Sequence, residues 1–387
     1  MFGKSIAPLD KKLKNIKWGE YKVSKLFHIQ RITCMLSKEG ISDTAQYPVY
    51  SSESSNSGVI GYTDNPEFRC NDDTPVYITF GDHTRTFNIA QRSFSVLDNV
   101  KVLIPCTNNI HSILYLVASW KKKIPNLGYS RHWKVAKECT LSLPQTTSGE
   151  IDFAFMESFM RKIEELYLRK LDLYLFTTGL NDYHLTPSDQ QALDNFEALQ
   201  WQEFKLDNLF EKIDTKKLSY KAKDLPKQPT ESNPLPCLTS SFMNQGLNYY
   251  VPREGATILN NVISIPSNSD VYRAYYQSMD FTVLSDAYAI RWKDENNNLT
   301  PKQYLFMVAC INKVTNLPIY SYKNKLGGWN VVKDKYISLP VTADGKPDLM
   351  AMEQLVDAIQ KTAIADVVKY TDIQLDATRK VTSKDSD

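Results

Sequence analysis

The chain has 387 residues, long enough for two domains that each bury a core of their own. Its 42% hydrophobic and 23% charged residues exclude a disordered chain, and no run approaches the roughly 18 apolar residues of a membrane helix. A net charge of +2 argues against a non-specific coat for nucleic acid, yet a site-specific reader needs only local basic surfaces.

Such surfaces begin with Lys11, Lys12, Lys14, Lys17, Lys22 and Lys25, around the run Trp18-Gly-Glu-Tyr-Lys-Val-Ser-Lys-Leu-Phe27. Short apolar runs at Pro75–Phe80, Phe94–Leu97 and Val100–Ile104, punctuated by Asn, Asp, Gly and Pro, predict strands. Ser112–Trp120 predicts a helix, followed by the basic residues Lys121, Lys122, Lys123, Arg131, Lys134 and Lys137 and by Trp133-Lys-Val-Ala-Lys-Glu-Cys-Thr-Leu-Ser-Leu-Pro144. From about Asp152 the period changes: Met156, Phe159, Ile163, Leu166, Lys170 and Leu173 recur at alternating spacings of 3 and 4, a heptad seam. A turn-rich break at 177–189 and a short helical stretch then predict a joint.

After the joint the order of signals repeats. Trp201-Gln-Glu-Phe-Lys-Leu-Asp-Asn-Leu-Phe210 matches the first run, Pro236, Ser240, Gly246 and Tyr250 match Pro48, Ser52, Gly58 and Tyr62, and Trp329 to Pro340 matches Trp133 to Pro144. The offset drifts only from 183 to 196 across the collinear blocks, so the chain is a duplication of whole domains and not a solenoid. Strands are predicted at Ala256–Leu259, Val262–Ile265, Phe281–Leu284 and Tyr288–Trp292, and a helix at Pro301–Cys310. A third basic group comprises Lys212, Lys216, Lys217, Lys221 and Lys223. The second heptad seam runs through Leu349, Met352, Val356, Ile359, Ala363, Asp366, Tyr370 and Ile373, with polar Lys170 and Asp366 as register-setting interruptions of the two seams. The fold class is therefore α+β, two homologous mixed lobes alternating with two long helices. The expected domains are 1–150, a helical spacer and linker at 151–200, 201–346, and a second helix and tail at 347–387.

Catalytic chemistry is thinly represented. No Gly-rich phosphate loop occurs, and Asn65-Pro-Glu-Phe68 and Asn233-Pro-Leu-Pro236 lack the second Pro of an amino-methyltransferase motif. Glu20-Tyr-Lys22 and Glu203-Phe-Lys205 fit half of a metal-dependent nuclease site, but a strand with aromatic and charged residues alternating explains both. His83 beside Asp82 suggests a triad, yet the second copy has no histidine. Six dispersed cysteines, Cys34 among them, without C-x-x-C, no apolar stretch at the amino terminus and no histidine pair at ligand spacing lead us to expect a cytoplasmic chain without a metal site. We expect no catalytic residue and no cofactor in this chain.

The two copies diverge most at 67–92 and 253–277, where side chains suited to base edges accumulate. These are Arg69, Asn71, Thr79, His83, Arg85, Asn88, Gln91 and Arg92 in the first copy and Arg253, Asn260, Asn261, Asn268, Arg273 and Gln277 in the second. Candidates for the DNA backbone are Lys22, Lys25, Lys101, Lys134, Lys216, Lys217 and Lys323.

With the duplication, the two seams and the runs Tyr77–Arg85, Asp98–Leu103, Ala256–Ser264 and Phe281–Ala289 in hand, the chain resembles the specificity subunit of type I restriction-modification systems. It is also similar to the version of these domains in type IIB and fused type IIG enzymes. The resemblance covers nearly the whole length. It implies a non-catalytic subunit whose two target-recognition domains read a bipartite duplex target. It further implies that the two helices pair as an antiparallel coiled coil and dock methyltransferase subunits, through Met156, Phe159, Ile163, Leu166, Lys170, Met352, Val356, Ile359 and Asp366. S-adenosylmethionine would sit on those partners, and ATP and Mg on a restriction or translocase subunit in the type I arrangement. Competing readings are a metal-dependent nuclease and a tandem protein-interaction scaffold without nucleic acid.

Overall fold

The computed structural model describes residues 13–14, 16–33, 36–294 and 298–384, so Lys11, Lys12 and Cys34 lie outside the described residues. Two compact units emerge, 1–171 with 375–387, and 172–374, so the division falls inside the two long helices and not at their ends.

In the first unit the strands are β1 (Lys17–Lys22), β2 (Phe27–Gln30), β3 (Tyr47–Tyr50), β4 (Val59–Thr63), β5 (Tyr77–Gly81), β6 (Thr86–Ala90), β7 (Ser95–Val96), β8 (Val100–Pro105) and β9 (Thr140–Gln145). Between them lie the helices α1 (Val23–Leu26), α2 (Ile110–Lys123) and α3 (Trp133–Ala136), and α4 (Phe153–Thr177) follows β9. The strands form a β1–β9 ladder, a four-stranded sheet in the order β2-β8-β5-β6, and a three-stranded sheet β4-β3-β7 in which β3 and β7 run parallel. Helix α2 forms because Asn109 caps it by accepting the Ser112 N–H, while Ile113, Leu116 and Trp120 line one face and three lysines close its last turn. Trp120 is fully buried, stacks on Phe27 at 4.7 Å, and donates its indole N–H to the Ala136 carbonyl at 2.9 Å.

The second unit repeats this plan strand for strand, with β10 (Trp201–Lys205), β11 (Phe210–Lys212), β12 (Leu235–Leu238), β13 (Leu247–Val251), β14 (Val262–Pro266), β15 (Tyr275–Gln277), β16 (Thr282–Val283), β17 (Ala287–Trp292) and β18 (Tyr336–Pro340). Its helices are α5 (Pro187–Asp194), α6 (Leu206–Leu209), α7 (Pro301–Thr315), α8 (Trp329–Val332) and α9 (Leu349–Lys384). The sheets are β10–β18, β11-β17-β14-β15 and β13-β12-β16, again with one parallel pair, β12 with β16. Small irregularities are repeated too. A bulge falls at Val49/Tyr50 and at Cys237/Leu238, and left-handed pairs Asn56-Ser57 and Asn244-Gln245 precede Gly58 and Gly246, whose own φ values are +77° and +88°. At a φ of +77° any side chain on Gly58 would be strained, and its Cβ would also meet the Asn88 amide nitrogen at 2.9 Å.

Most predicted strands are present, while several observed ones, among them β3, β4, β12 and β13, were not predicted. Ala256–Leu259 is irregular apart from a bridge of Leu259 to Phe281, because that segment only closes the edge of the small sheet. Strands β6 and β15 are among those not foreseen; both are outer strands whose half-buried polar residues lack a clean apolar alternation.

The heptad seams need correction. The first turns of α4 and α9 belong to the lobes they leave: Met156 is buried in the first core with Phe159 edge-on to Tyr115, and Met352 is buried in the second core. His111 holds Glu164 at 2.8 Å, and the Gln303 amide donates to Glu353 at 3.0 Å, so each helix is tied to its own lobe. Ile163, Leu166, Lys170 and Val356 are half-buried. Further along α9, Ile359, Asp366, Tyr370 and Ile373 are exposed, whereas the covered stripe is Lys361, Ile364, Val368, Thr371 and Leu375. At about 100° per residue, two residues of displacement put the sequence-derived seam on nearly the opposite face. Among the described residues no helix is long and apolar enough to cross a membrane.

The linker is fastened within the second unit. Thr186 and Asp189 form a reciprocal capping box at the start of α5, and Asp189 also accepts from the Lys361 ammonium at 2.7 Å. The Lys361 hydrogen bond, with the Thr186 N–H, holds the Asp189 carboxyl down to about 2 from its ordinary 3.8. Because the folded value is the lower one, this contact contributes stability in full above about pH 4 and loses it as pH falls toward 2. Asp189→Asn should therefore lower stability at neutral pH, and its deficit relative to the parent should shrink across that window in urea titrations. A second expectation separates core from surface on α9: Met352→Ala should cost about 2–5 kcal/mol, whereas Ile359→Ala should stay within about 0.5 kcal/mol, both read from denaturant midpoints.

Candidate nucleic-acid interface

The residues that differ between the lobes gather where the small sheet meets the segment leading into it. In the first lobe an isolated bridge joins Phe68 to Phe94, whose rings stack at 5.1 Å. Arg69 follows that bridge on one segment and Gln91 and Arg92 precede it on the other; all three are exposed, and neither arginine makes an ion pair with a described residue. Burial raises the Tyr50 hydroxyl's pKa, and the neighbouring Arg92 charge opposes that rise. At the equivalent bridge, Leu259 to Phe281, the second lobe carries different chemistry: Arg253 pairs with Asp280 at 2.6 Å, and the Asn260 amide donates to the same carboxylate at 2.9 Å. The Arg253 hydrogen bond, then that of Asn260, lowers the Asp280 pKa. One lobe presents free cationic and amide groups at this corner; the other presents a closed Arg–Asp–Asn network.

Several other expected readers are occupied by the scaffold. Thr79 is a correction: it is 1% exposed in the middle of β5, and its hydroxyl accepts from Asn88 at 3.2 Å. Arg85 has a left-handed φ of 58° in the β5–β6 turn and donates to the Ile124 carbonyl at 3.1 Å. Asn71 accepts the Thr74 N–H in a turn. Asn261 accepts from the Tyr276 hydroxyl, Gln277 donates to Ser264 and to the Gln245 carbonyl, and the Asn268 side-chain oxygen is buried without a partner. Arg273 is exposed and makes no ion pair with a described residue.

His83 does not touch the Asp82 carboxylate. Its ring nitrogen lies 3.1 Å from the Tyr129 carbonyl, while Asp82, 3% exposed, accepts the Trp133 N–H at 2.6 Å and caps α3. The pair is thus a structural clasp, not two-thirds of a triad. Tyr129, beside Gly128 at φ +65°, is 98% exposed and was missed; the Asn126-Leu-Gly-Tyr turn is its only signal in the sequence. Glu20 and Glu203 sit opposite Ser142 and Ser338 in the β1–β9 and β10–β18 ladders, and Lys205 pairs with Asp334 at 2.6 Å. Among the described residues no three His, Cys, Asp or Glu side chains converge as a metal site would require.

Of the lysines, Lys22, Lys25, Lys134 and Lys323 are exposed, and Lys101 is half-buried opposite Phe80. Lys216 and Lys217 line a cleft of about 650 Å³ in the second unit. The clasp is testable: Asp82→Ala leaves the Trp133 N–H unsatisfied and should cost about 1–3 kcal/mol, read from denaturant midpoints.

The profile described as Type I restriction modification DNA specificity domain matches this chain twice, over residues 15–171 and 199–369. A type II restriction enzyme specificity subunit, S.BcgI from Heyndrickxia coagulans, is 22% identical over 289 residues, covering 74% of this chain and 78% of that one. Among solved structures, the type I restriction-modification S subunit from M. genitalium aligns over 96% of this chain and 95% of its own, at a TM-score of 0.55 and 12% identity. The HsdS subunit from Thermoanaerobacter tengcongensis aligns over 94% and 96% at 11% identity, with a TM-score of 0.31, too low to bear on the fold. Built from two copies of one lobe, each matched over its length, the chain belongs to the type I restriction modification DNA specificity domain family.

Proposed function

We propose that the chain is the sequence-reading subunit of a restriction-modification complex, and that each lobe reads one half of a bipartite, asymmetric duplex target. The observation that carries this reading is the pair of bridge corners: one scaffold, built twice in the same strand order, presents Arg69, Gln91 and Arg92 in one lobe and Arg253, Asn260 and Asp280 in the other. Arginine can take guanine O6 and N7 together and an amide can do the same for adenine, so two such corners suit two different short sequences. Arg273 and the Tyr129 loop extend the candidate surface of their respective lobes.

On this reading the chain does no chemistry itself. Methyl transfer from S-adenosylmethionine takes place on methyltransferase subunits, and any step needing ATP or Mg on a restriction or translocase subunit. Exposed apolar residues support docking of such partners on the long helices: Leu173, Tyr174 and Phe176 on α4, and Ile359, Tyr370 and Ile373 on α9. Their exposure is why we assign docking to them in place of the buried Met156 and Met352.

Selection of bound sequences from a random duplex library, using the full chain alone and co-assembled with methyltransferase subunits, tests the proposal. Arg92→Ala should relax preference in one half-site and Arg273→Ala in the other, each by about 1–3 kcal/mol at the contacted base pair. Relaxation of both halves by a single variant would end the two-reader model, and enrichment of no sequence by the parent would end the DNA reading altogether.

A further inference from the structure

Both lobes have a cleft at the same place, where the first short helix and the strand after it face the short helix that starts at the second tryptophan. In the first lobe this cleft, about 600 Å³, is lined by Phe27, Ile29, Leu103 and Trp133 together with Lys22, His28 and Lys137, the last 3.8 Å from Glu138. In the second lobe, about 650 Å³, the counterpart of Ile29 is Lys212, since Ile29 faces Leu103 and Lys212 faces Ile290 in matching ladders. Lys216 and Lys217 join it from the chain after β11, and Lys333 from the end of α8. The single acid on the wall, Asp207, already faces Lys293, whose ammonium also donates to its carbonyl. None of the four lining lysines makes an ion pair with a described residue.

A second observation comes from the floor. Tyr288 lines the cleft beside Trp329 and is 5% exposed, yet its buried hydroxyl has no hydrogen-bond partner, and burial raises its pKa. An unpaired buried hydroxyl costs stability unless a ligand satisfies it. Lys212, Lys216 and Lys217 are exposed, so their ammonium groups are open to an anion entering the cleft from solvent. The cleft continues past Lys217 into a second hollow of about 580 Å³ that reaches Lys221 and Ser240, so the basic surface is a track and not a point.

We propose that this cleft is a phosphodiester anchor: it takes the DNA backbone beside the half-site read by the second lobe, with Lys212, Lys216, Lys217 and Lys333 around the phosphate oxygens and the Tyr288 hydroxyl donating from the floor. The first lobe, whose cleft in the same position has Lys22, His28 and Lys137 but puts Ile29 where the second has Lys212, offers fewer cations to a phosphate. The inference rests on the DNA reading above and adds to it an asymmetry: the sequence-independent grip is concentrated on one lobe.

The test measures binding of the full chain to its selected duplex across a salt series. Lys216→Ala with Lys217→Ala should flatten the dependence of log affinity on log salt by about one unit per lysine, while base preferences in both half-sites stay as they were. Tyr288→Phe should weaken binding roughly ten-fold, as loss of a hydrogen bond to a charged acceptor would, and should melt at the parent temperature or above it because it removes an unsatisfied group. Duplex binding with an unmoved salt slope in the lysine variant, or unchanged affinity in Tyr288→Phe, overturns the anchor alone. A parent chain that binds no duplex overturns the reading beneath it. If pyrophosphate raises the melting temperature of the parent but not of Tyr288→Phe while both bind duplex equally, the cleft serves a free phosphate compound and the proposal fails.

Discussion

Each lobe depends on one antiparallel ladder that joins its two ends. Trp18 lies opposite Pro144 and Trp201 opposite Pro340, so strands more than a hundred residues apart in sequence close each lobe on itself. Loop-closure entropy grows only slowly with length, which is why so long an excursion can be closed by five or six residue pairs when a core lies behind them. The ladder also fixes where the next element departs. The Asp152 and Asp348 amides donate back to the Pro144 and Pro340 carbonyls, and their carboxylates accept from Phe155 and Ala351, capping α4 and α9. A lobe that begins and ends at one ladder, and hands the chain to a capped helix, is a unit that duplication can copy whole.

This explains which parts of the fold were legible in the sequence. The tryptophan-led run and the Ser-Leu-Pro run stood out as repeats because they are the two strands of that ladder, where both side-chain identity and register are constrained. Glu20 and Lys22 recur as Glu203 and Lys205 for the same reason: alternate residues of a strand share a face, and an E-x-K spacing follows without any metal. Strands such as β8 and β17, covered on both sides, were readable as apolar runs. Strands β6 and β15 were not, because an outer strand carries polar residues whose partners lie across the sheet, outside any local window.

The heptad pattern misled for a definable reason. Met156 and Met352 are apolar because a lobe core claims them, while on distal α9 the covered residues are Val368, Thr371 and Leu375, so one continuous spacing joined two different faces. Polar readers pose the same problem in another form. Nothing local distinguishes Arg253, closed on an aspartate 27 residues away, from Arg92, which makes no ion pair with a described residue. Whether an arginine is spent on the scaffold or left for a ligand is a property of packing, and only the folded arrangement sorts Thr79, Arg85 and Asn261 from Arg69 and Arg273.

Sorting them shows where a duplicated reader can change without unfolding. The aromatic cores around Trp120 in one lobe and around Phe210 and Tyr304 in the other lie behind the main sheet, while the bridge corners and the clefts lie at its margins. A substitution in the core opens a cavity that the remaining packing cannot fill. One at the margin exchanges groups already in contact with water, at little cost. That difference lets Ile29 of one copy be replaced by Lys212 in the other, and Arg69 by Asn260, while Gly58 and Gly246 keep their left-handed backbone. Base reading and backbone grip then become separable properties, because the corner and the cleft sit on different elements of the same lobe: one can be retuned for a new sequence while the other continues to supply affinity that no sequence change disturbs.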